Sequence, residues 1–379
     1  MAIPRTLFSA DHEAFRATVR RFVEQEIAPH HARWEREHVV DREVWTKAGE
    51  LGLLCTGIPE EYGGAGVDFR YATVVNEELM RGCYSGPGFR VHSDISAPYI
   101  LHYGSEAQKR TWLPRMARGE TIAAIAMTEP QAGTDLQRLR TTAIRDGDDL
   151  VVNGSKTFIT NGQLADLVIV ACKTGREEGA KGISLVLVEA DRPGFTRGRN
   201  LEKIGMKAQD TSELFFSDVR VPRSNLLGEE GKGFRYLMQE LPQERLLVAI
   251  SAVTLADAAL EWTLAYTKER QVFGQSLAAF QHNRFKLAEM KTQVQVARVF
   301  LDRCIELHCE GKLDVESAAM AKYWLTELEG GIIDQCVQMH GGYGYMWEYP
   351  IARAFVDARA HRIYAGSNEI MRELIARNL

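Results

Sequence analysis

The sequence predicts an α+β multidomain protein with three parts: an N-terminal α-helical domain, a middle antiparallel β domain and a C-terminal α domain resembling a four-helix bundle. Three observations lead there. Apolar residues recur at helical spacing up to about residue 122. Short runs rich in β-branched residues, separated by turns, then take over until about residue 232. From residue 233 the helical period returns and persists to the end. The expected domains are therefore 1–122, 123–232 and 233–379.

Each element has its own signal. Asp11 offers an N-cap to a first helix that aligns Phe15, Val19, Phe22, Val23 and Ile27 before Pro29. Residues 71–80 read as another helix, and 105–116 as a capped helix closing the first domain. Glu61-Tyr62-Gly63-Gly64-Ala65-Gly66 and Gly86-Pro87-Gly88 are loops. In the middle domain, Asp146-Gly147-Asp148, Asn153-Gly154 and Asn161-Gly162 are hairpin-type signals. Residues 167–171, 183–188 and 213–216 read as strands, with no helix between them, which favours an antiparallel sandwich or small barrel. Pro242 marks a helix entry, because its missing N–H costs nothing in a first turn, and that helix runs to about Arg270. Leu287, Met290, Val294, Ala297, Leu301 and Cys304 step by three and four, a seam for antiparallel bundle packing. Residues 314–339 form the next helix, stopped by Gly341-Gly342, and shorter helices cover 350–359 and 368 onward.

The composition is that of an ordinary globular protein, 45% hydrophobic and 26% charged. A net charge of −5 gives nucleic acid no electrostatic purchase. No apolar run approaches the roughly 20 residues of a spanning helix, so no membrane insertion is expected. Residues 1–11 lack the apolar core of a signal peptide and the Arg- and Ser-rich character of a transit peptide. The expected location is the cytoplasm, or the mitochondrial matrix for a processed chain. Six cysteines without a CxxC pair suggest buried free thiols. Cys304, His308 and Cys309 fall in an apolar helical pattern, which fits packing better than a metal, and no metal is expected. His30, His31 and His38 lie on a charged helix and read as solvated.

Chemistry is harder to read from residue types alone. There is no GxxxxGK[ST], and no GxGxxG between a strand and a helix. Gly341-Gly342-Tyr343-Gly344 taken alone is a helix stop. Glu244 beside Arg245 has two readings. One is a cap favoured by the helix dipole, and the other is a catalytic base beside a substrate-binding arginine.

Five ordered motifs decide between them. Thr128-Glu129-Pro130-Gln131-Ala132-Gly133-Thr134-Asp135 resembles the TEPxAGSD signature of the acyl-CoA dehydrogenase family. Phe158-Ile159-Thr160-Asn161-Gly162, Arg270-Gln271-Val272-Phe273-Gly274, Gln338-Met339-His340-Gly341-Gly342 and Tyr364-Ala365-Gly366-Ser367-Asn368-Glu369-Ile370 resemble its other motifs, in the family's order and spacing. The resemblance runs from about residue 10 to the end. Within the family it is strongest to the long-chain branch, through Gly86-Pro87-Gly88-Phe89, Lys207-Ala208-Gln209-Asp210-Thr211, Leu241-Pro242-Gln243-Glu244-Arg245-Leu246-Leu247 and Met346-Trp347-Glu348-Tyr349-Pro350.

This resemblance implies FAD, a homotetramer, and α,β-dehydrogenation of an acyl-CoA thioester to the trans-2-enoyl-CoA, as in fatty-acid β-oxidation. It implies that Ile125, Met127, Thr128, Gly133 and Thr134 line the flavin loop and that Phe158 and Thr160 lie against the ring. Arg270, Phe273, Gln281, Gln338, Gly341 and Gly342 would grip the adenylate and pyrophosphate, partly from a neighbouring subunit. Ser367 and Glu369 would complete the flavin contacts. Arg245, Thr134, Tyr364 and Ala365 would meet the substrate.

Three positions depart from the common pattern. Gln131 replaces a frequent Gly, and Phe158 replaces a frequent Trp. Ala365 stands where many members carry the catalytic Glu. Long-chain and isovaleryl-type members place the base on the other helix, where Glu244 falls. The expected reaction therefore has Glu244 taking the α-proton while the β-hydride moves to flavin N5. The substrate would be a medium- or long-chain acyl-CoA, and an electron-transfer flavoprotein the electron acceptor. The alternatives are an isovaleryl-type or carrier-bound acyl dehydrogenase, and a flavin-binding protein without catalysis, against which Glu244 argues.

Overall fold

The computed structural model describes residues 3–175, 179–377 and 379. The N-terminal part holds α1 (Ala10–Phe22), α2 (Ala28–Glu37), α3 (Glu43–Glu50), α4 (Phe69–Arg81), α5 (Ala97–Tyr103) and α6 (Glu106–Ala117). Ser9 rather than Asp11 is the N-cap of α1, pairing with His12 in a reciprocal box, and Asp11 falls in the first turn. Five π-type residues, Val23–Ile27, join α1 to α2, so the helical path continues through Pro29. That proline sits in the opening turn of α2, where its missing donor is tolerated. Ser105 caps α6 as expected.

The middle part is a sheet of β1 (Ala123–Ala126), β2 (Thr142–Asp146), β3 (Asp149–Thr160), β4 (Leu167–Lys173), β5 (Ile183–Glu189), β6 (Phe195–Asn200), β7 (Thr211–Pro222) and β8 (Leu226–Leu227). The strand order is β6-β7-β3-β2-β4-β5-β8, with β1 beside β4. Most pairings are antiparallel, but β1–β4 and the contact between β2 and β4 are parallel. The β2–β3 hairpin turns the chain back on itself, and β4 then resumes the direction of β1. Asp146 pairs with Asp149 around Gly147, whose φ is 63°, so this turn signal is a hairpin. Asn153-Gly154 is not a turn. It lies inside β3 at a register shift, where a Cβ on Gly154 would stand 2.5 Å from Thr141 Oγ1. Here the glycine serves a bulge and a close approach.

The C-terminal part begins with α7 (Gly233–Glu269), followed by the small hairpin β9 (Gln271–Val272) and β10 (Gln275–Ser276). Helices α8 (Gln281–Cys309), α9 (Val315–His340), α10 (Pro350–His361) and α11 (Asn368–Ala376) complete it. Pro242 is inside α7, not at its entry. Tyr236 and Leu237 hold the earlier turns in the core that also contains Tyr99 and Ile125, so packing carries the helix past the lost hydrogen bond. Glu244 is thus a mid-helix residue, and the capping reading has no basis. α7 is also long and apolar enough to cross a membrane, contrary to the sequence expectation, but its apolar window is 83% buried within the protein. The seam residues of α8, Leu287 to Cys304, are all buried as expected.

Two smaller expectations change. His31 is buried, not solvated. Its Nε2 accepts from the Gly86 N–H at 3.3 Å, and burial, helped by nearby Arg353, pushes its pKa down to about 4. Cys309 is exposed, whereas the other five cysteines are buried. No metal-binding group of His, Cys, Asp and Glu occurs among the described residues.

Candidate active site

Glu244 lies in the middle of α7, only 4% exposed. Its Oε1 accepts a hydrogen bond from Tyr99 Oη at 2.8 Å. Burial pushes its pKa up to about 7. The Tyr99 bond opposes that rise, the charge of Glu240 one turn earlier adds to it, and Arg245 opposes it. Glu240 is itself held from α5, by His102 Nδ1 at 2.8 Å and Tyr103 Oη at 2.8 Å. One helix thus positions two carboxylates of another. A carboxylate that titrates near neutrality is suited to accept a proton from a weak carbon acid.

The turn between α10 and α11 provides the second half of the site. Ala365 has φ 55°, a left-handed conformation that a residue with a Cβ rarely adopts. Among the described residues its N–H donates to no protein acceptor. A Cβ on Gly366 would stand 4.0 Å from the Arg245 guanidinium, so Arg245 borders this turn. Arg245 is buried, and its Nε has no partner. Lys322 of α9 fixes the turn from behind, donating to Gly366 O at 2.7 Å and Asn368 Oδ1 at 2.8 Å. Burial pushes the Lys322 amine down to about 8, and the Arg245 charge adds to that. Tyr364 Oη accepts from Arg90 at 2.7 Å, and Arg90 also donates to Ser251 Oγ of α7 at 2.8 Å.

Ile125, Met127, Thr128, Gly133 and Thr134 belong to β1 and the loop after it, and Phe158 and Thr160 lie at the end of β3. Ile125 is the penultimate residue of β1, and residues 127–134 form the loop after it. Ile125 and Met127 pack in the same core cluster as Tyr99. The loop is tied to β3, because the Thr157 N–H donates to Thr128 O at 2.9 Å. Gly133 has open space where a Cβ would be, and Thr134 is exposed. Phe158 is 67% exposed at φ 60°, a costly conformation for a bulky residue. An exposed aromatic ring held in strain beside free loop backbone fits a flat aromatic group. These residues therefore fit a flavin.

The remaining candidates lie elsewhere. Arg270 is about 39 Å from Glu244 along α7, at the helical rise of about 1.5 Å per residue. It stacks on the Tyr343 ring at 5.7 Å, next to Gly341 and Gly342, whose missing side chains leave open space. Phe273 is 98% exposed at φ 50°, and Gln281 and Gln338 are also exposed. Ser367 N-caps α11 and Glu369 is in its first turn, close in sequence to Ala365. Gln338 lies about 24 Å along α9 from Lys322, which holds that turn. One chain therefore holds these two groups of candidate residues far apart.

Three contributors were not singled out from sequence. Tyr99 is one, and Arg90 and Lys322 are others. A further missed feature is the ion pair under the flavin loop. Lys156 Nζ meets Glu129 Oε1 at 2.8 Å and also donates to Met127 O at 3.0 Å and Ala171 O at 2.6 Å. Burial would raise the Glu129 pKa, but Lys156 and the backbone donors Arg140 and Thr141 outweigh it and hold the group below its ordinary value. The only signal available was an acidic residue inside a motif and a lysine in a strand.

Known proteins match this arrangement along almost the whole chain. The N-terminal, middle and C-terminal domain models of acyl-CoA dehydrogenase match residues 9–120, 124–219 and 231–379. A mitochondrial long-chain specific acyl-CoA dehydrogenase of Sus scrofa is 55% identical over 377 residues, which is 99% of this chain and 88% of that protein. A crystal structure of an acyl-CoA dehydrogenase from Geobacillus kaustophilus superposes with a TM-score of 0.97 at 51% identity, covering 99% of each chain. A glutaryl-CoA dehydrogenase from Mycobacterium smegmatis in complex with FADH2 gives 0.91 at 32% identity, covering 98% of this chain and 95% of that one.

Proposed function

Since the chain belongs to the acyl-CoA dehydrogenase family, we propose that it oxidises medium- or long-chain acyl-CoA thioesters with Glu244 as the base. The enzyme is a FAD-dependent oxidoreductase. FAD, when bound, supplies the acceptor for the hydride that leaves the substrate β-carbon. The observation that carries the assignment of Glu244 is its buried carboxylate, which is pushed up to about 7.

The chain's own groups divide the work. Glu244 takes the α-proton. The free N–H of Ala365 donates to the thioester oxygen, where negative charge develops. A backbone donor is unaffected by the alanine side chain, so Ala365 does not argue against catalysis. Arg245 and Tyr364 shape the substrate side. Thr128 and Thr134 hold the flavin loop side, and Phe158 and Thr160 face the ring. Ser367 and Glu369 add contacts from α11. Arg270, Phe273, Gln281, Gln338, Gly341 and Gly342 serve the FAD of a neighbouring subunit. The about 39 Å between Arg270 and Glu244 supports this sharing. The assembly is then a homotetramer, and electrons leave to an electron-transfer flavoprotein. The reaction belongs in the cytoplasm, or in the matrix for a processed mitochondrial chain.

The test is anaerobic stopped-flow bleaching of the flavin by octanoyl-CoA and palmitoyl-CoA. Glu244→Gln should slow bleaching by at least about 10²-fold while FAD content and acyl-CoA binding persist. Adding Ala365→Glu should restore part of the rate. Bleaching of Glu244→Gln at the parent rate would exclude Glu244 as the base.

A further inference from the structure

A base that takes a proton in each turnover has to give it up again. Glu244 is buried, and the acyl-CoA that delivers the proton covers its substrate side. The protein side offers another way out. Glu240 stands one turn earlier on the same face of α7, where β-carbons are about 6 Å apart. The Tyr99 hydroxyl, which donates to Glu244 Oε1 at 2.8 Å, lies in the field of both carboxylates. Burial first, then Glu244 and Glu240, push that phenol well above its ordinary value, so it keeps a proton to exchange.

Glu240 leads outward. Its Oε1 accepts from His102 Nδ1 and from Tyr103 Oη, each at 2.8 Å. Its Oε2 has no partner among the described residues, which leaves that oxygen to receive a proton. Glu240 itself is buried, but the His102 side chain is 49% exposed. A buried carboxylate is thus joined to a surface imidazole, the side chain suited to exchange protons with water near neutral pH. The other groups on this face carry no proton away. His308 of α8 donates from Nε2 to Gln243 Oε1 at 3.0 Å, and burial pushes it down to about 4 against the charge of Glu240, so it stays neutral. Arg245 is a permanent cation.

We propose that Glu240 and His102 form a proton exit, which carries the α-proton from Glu244 to solvent while acyl-CoA is still bound. This rests on the acyl-CoA dehydrogenase reading and deepens it. Glu244 gives its proton to the Tyr99 oxygen as the phenol passes its own to Glu240 Oε2. The Glu240 acid then donates to Nδ1 of the imidazole in its Nε2–H form, and Nε2 releases its own proton to water. The Glu240 carboxylate and its Nδ1–H donor are restored, and the exposed ring interchanges its two neutral forms through solvent.

The test uses the holoenzyme and octanoyl-CoA deuterated at the α-carbon, without an electron acceptor and without oxygen. Reversal of the reaction returns a solvent proton to the α-carbon if the proton on Glu244 has escaped. Loss of deuterium from recovered octanoyl-CoA is compared with flavin bleaching at pH ~9, above the value of about 7 for Glu244, so that the base is ionised in every variant. His102→Ala and Glu240→Gln should each lower the ratio of deuterium loss to bleaching by at least about tenfold, as expected when a positioned proton carrier is removed. Added imidazole should restore the ratio in His102→Ala. His102 is at the surface, so its variant decides even if Glu240→Gln fails to fold. An unchanged ratio in His102→Ala, or a lowered ratio that imidazole does not restore, overturns the exit but leaves the dehydrogenase reading intact. No bleaching of the parent by any acyl-CoA, palmitoyl-CoA included, overturns that underlying reading and the exit with it.

Discussion

Tyr99 Oη on α5 donates to Glu244 Oε1 on α7 at 2.8 Å, inside a core that leaves Glu244 almost wholly out of water. Two opposed effects meet there. Burial favours the neutral acid, and the phenol favours the carboxylate. The balance lies near pH 7, and most of the tests below disturb one side of a balance of this kind.

Tyr99→Phe removes the donor that favours the charged form. Glu244 should then titrate at a higher pH. The acid limb of the pH profile for flavin reduction should move upward by about one pH unit, the size expected for one hydrogen bond to a carboxylate. A limb that stays in place would mean that the base does not feel Tyr99.

Glu244→Gln should stabilise the protein in alkaline solution. The folded pKa of Glu244, about 7, lies above the ordinary 4.5. Below the ordinary value both states hold the proton. As pH rises through this window, the unfolded chain releases its proton first and the folded state loses stability. Above about pH 7 the loss is complete, on the order of 3 kcal/mol. Thermal unfolding of parent and variant near pH ~5 and ~8 should show the variant's advantage growing with pH. An advantage of equal size at both ends would contradict the raised pKa.

Lys156→Met should be more damaging than its distance from Glu244 suggests. It leaves the Glu129 carboxylate buried without its cation, a change worth about 3–5 kcal/mol. It also frees the carbonyls of Met127 and Ala171, so FAD content should fall along with the melting temperature. Unchanged flavin content in a destabilised variant would separate the ion pair from the loop.

Arg270→Gln tests the sharing of half-sites. FAD affinity should fall while light scattering still reports a mass four times that of the chain. Loss of FAD together with dissociation to monomers would assign Arg270 to assembly instead. Retention of full affinity would remove Arg270 from the cofactor site.

The helix–strand–helix order was legible because periodicity is local. The α8 seam, the Gly147 hairpin and the Ser105 cap each depend on a few neighbouring residues, and each appears where the pattern puts it. Local signals failed where two uses compete for the same residue. Pro242 resembles a helix start, yet Tyr236 and Leu237 pack the preceding turns firmly enough to carry α7 through it. Asn153-Gly154 resembles a turn, yet the close approach of Thr141 calls for the glycine within a strand. His31 resembles a surface residue of a charged helix, yet the Gly86 N–H needs an acceptor in the interior.

The sequence by itself determined the three-part architecture, the family and the position of Glu244, because motif residues and their spacing survive as linear text. The tertiary structure decided what surrounds that carboxylate. Tyr99 is 145 positions away in the chain and Arg90 is 274 positions from Tyr364, so no local pattern links them. The raised pKa of Glu244 comes from desolvation, a property of the whole packed core and not of any neighbour in sequence. The separation of Arg270 from Glu244 likewise appears only once α7 is a single rod, with Arg270 at its C-terminal end and Glu244 far back along it.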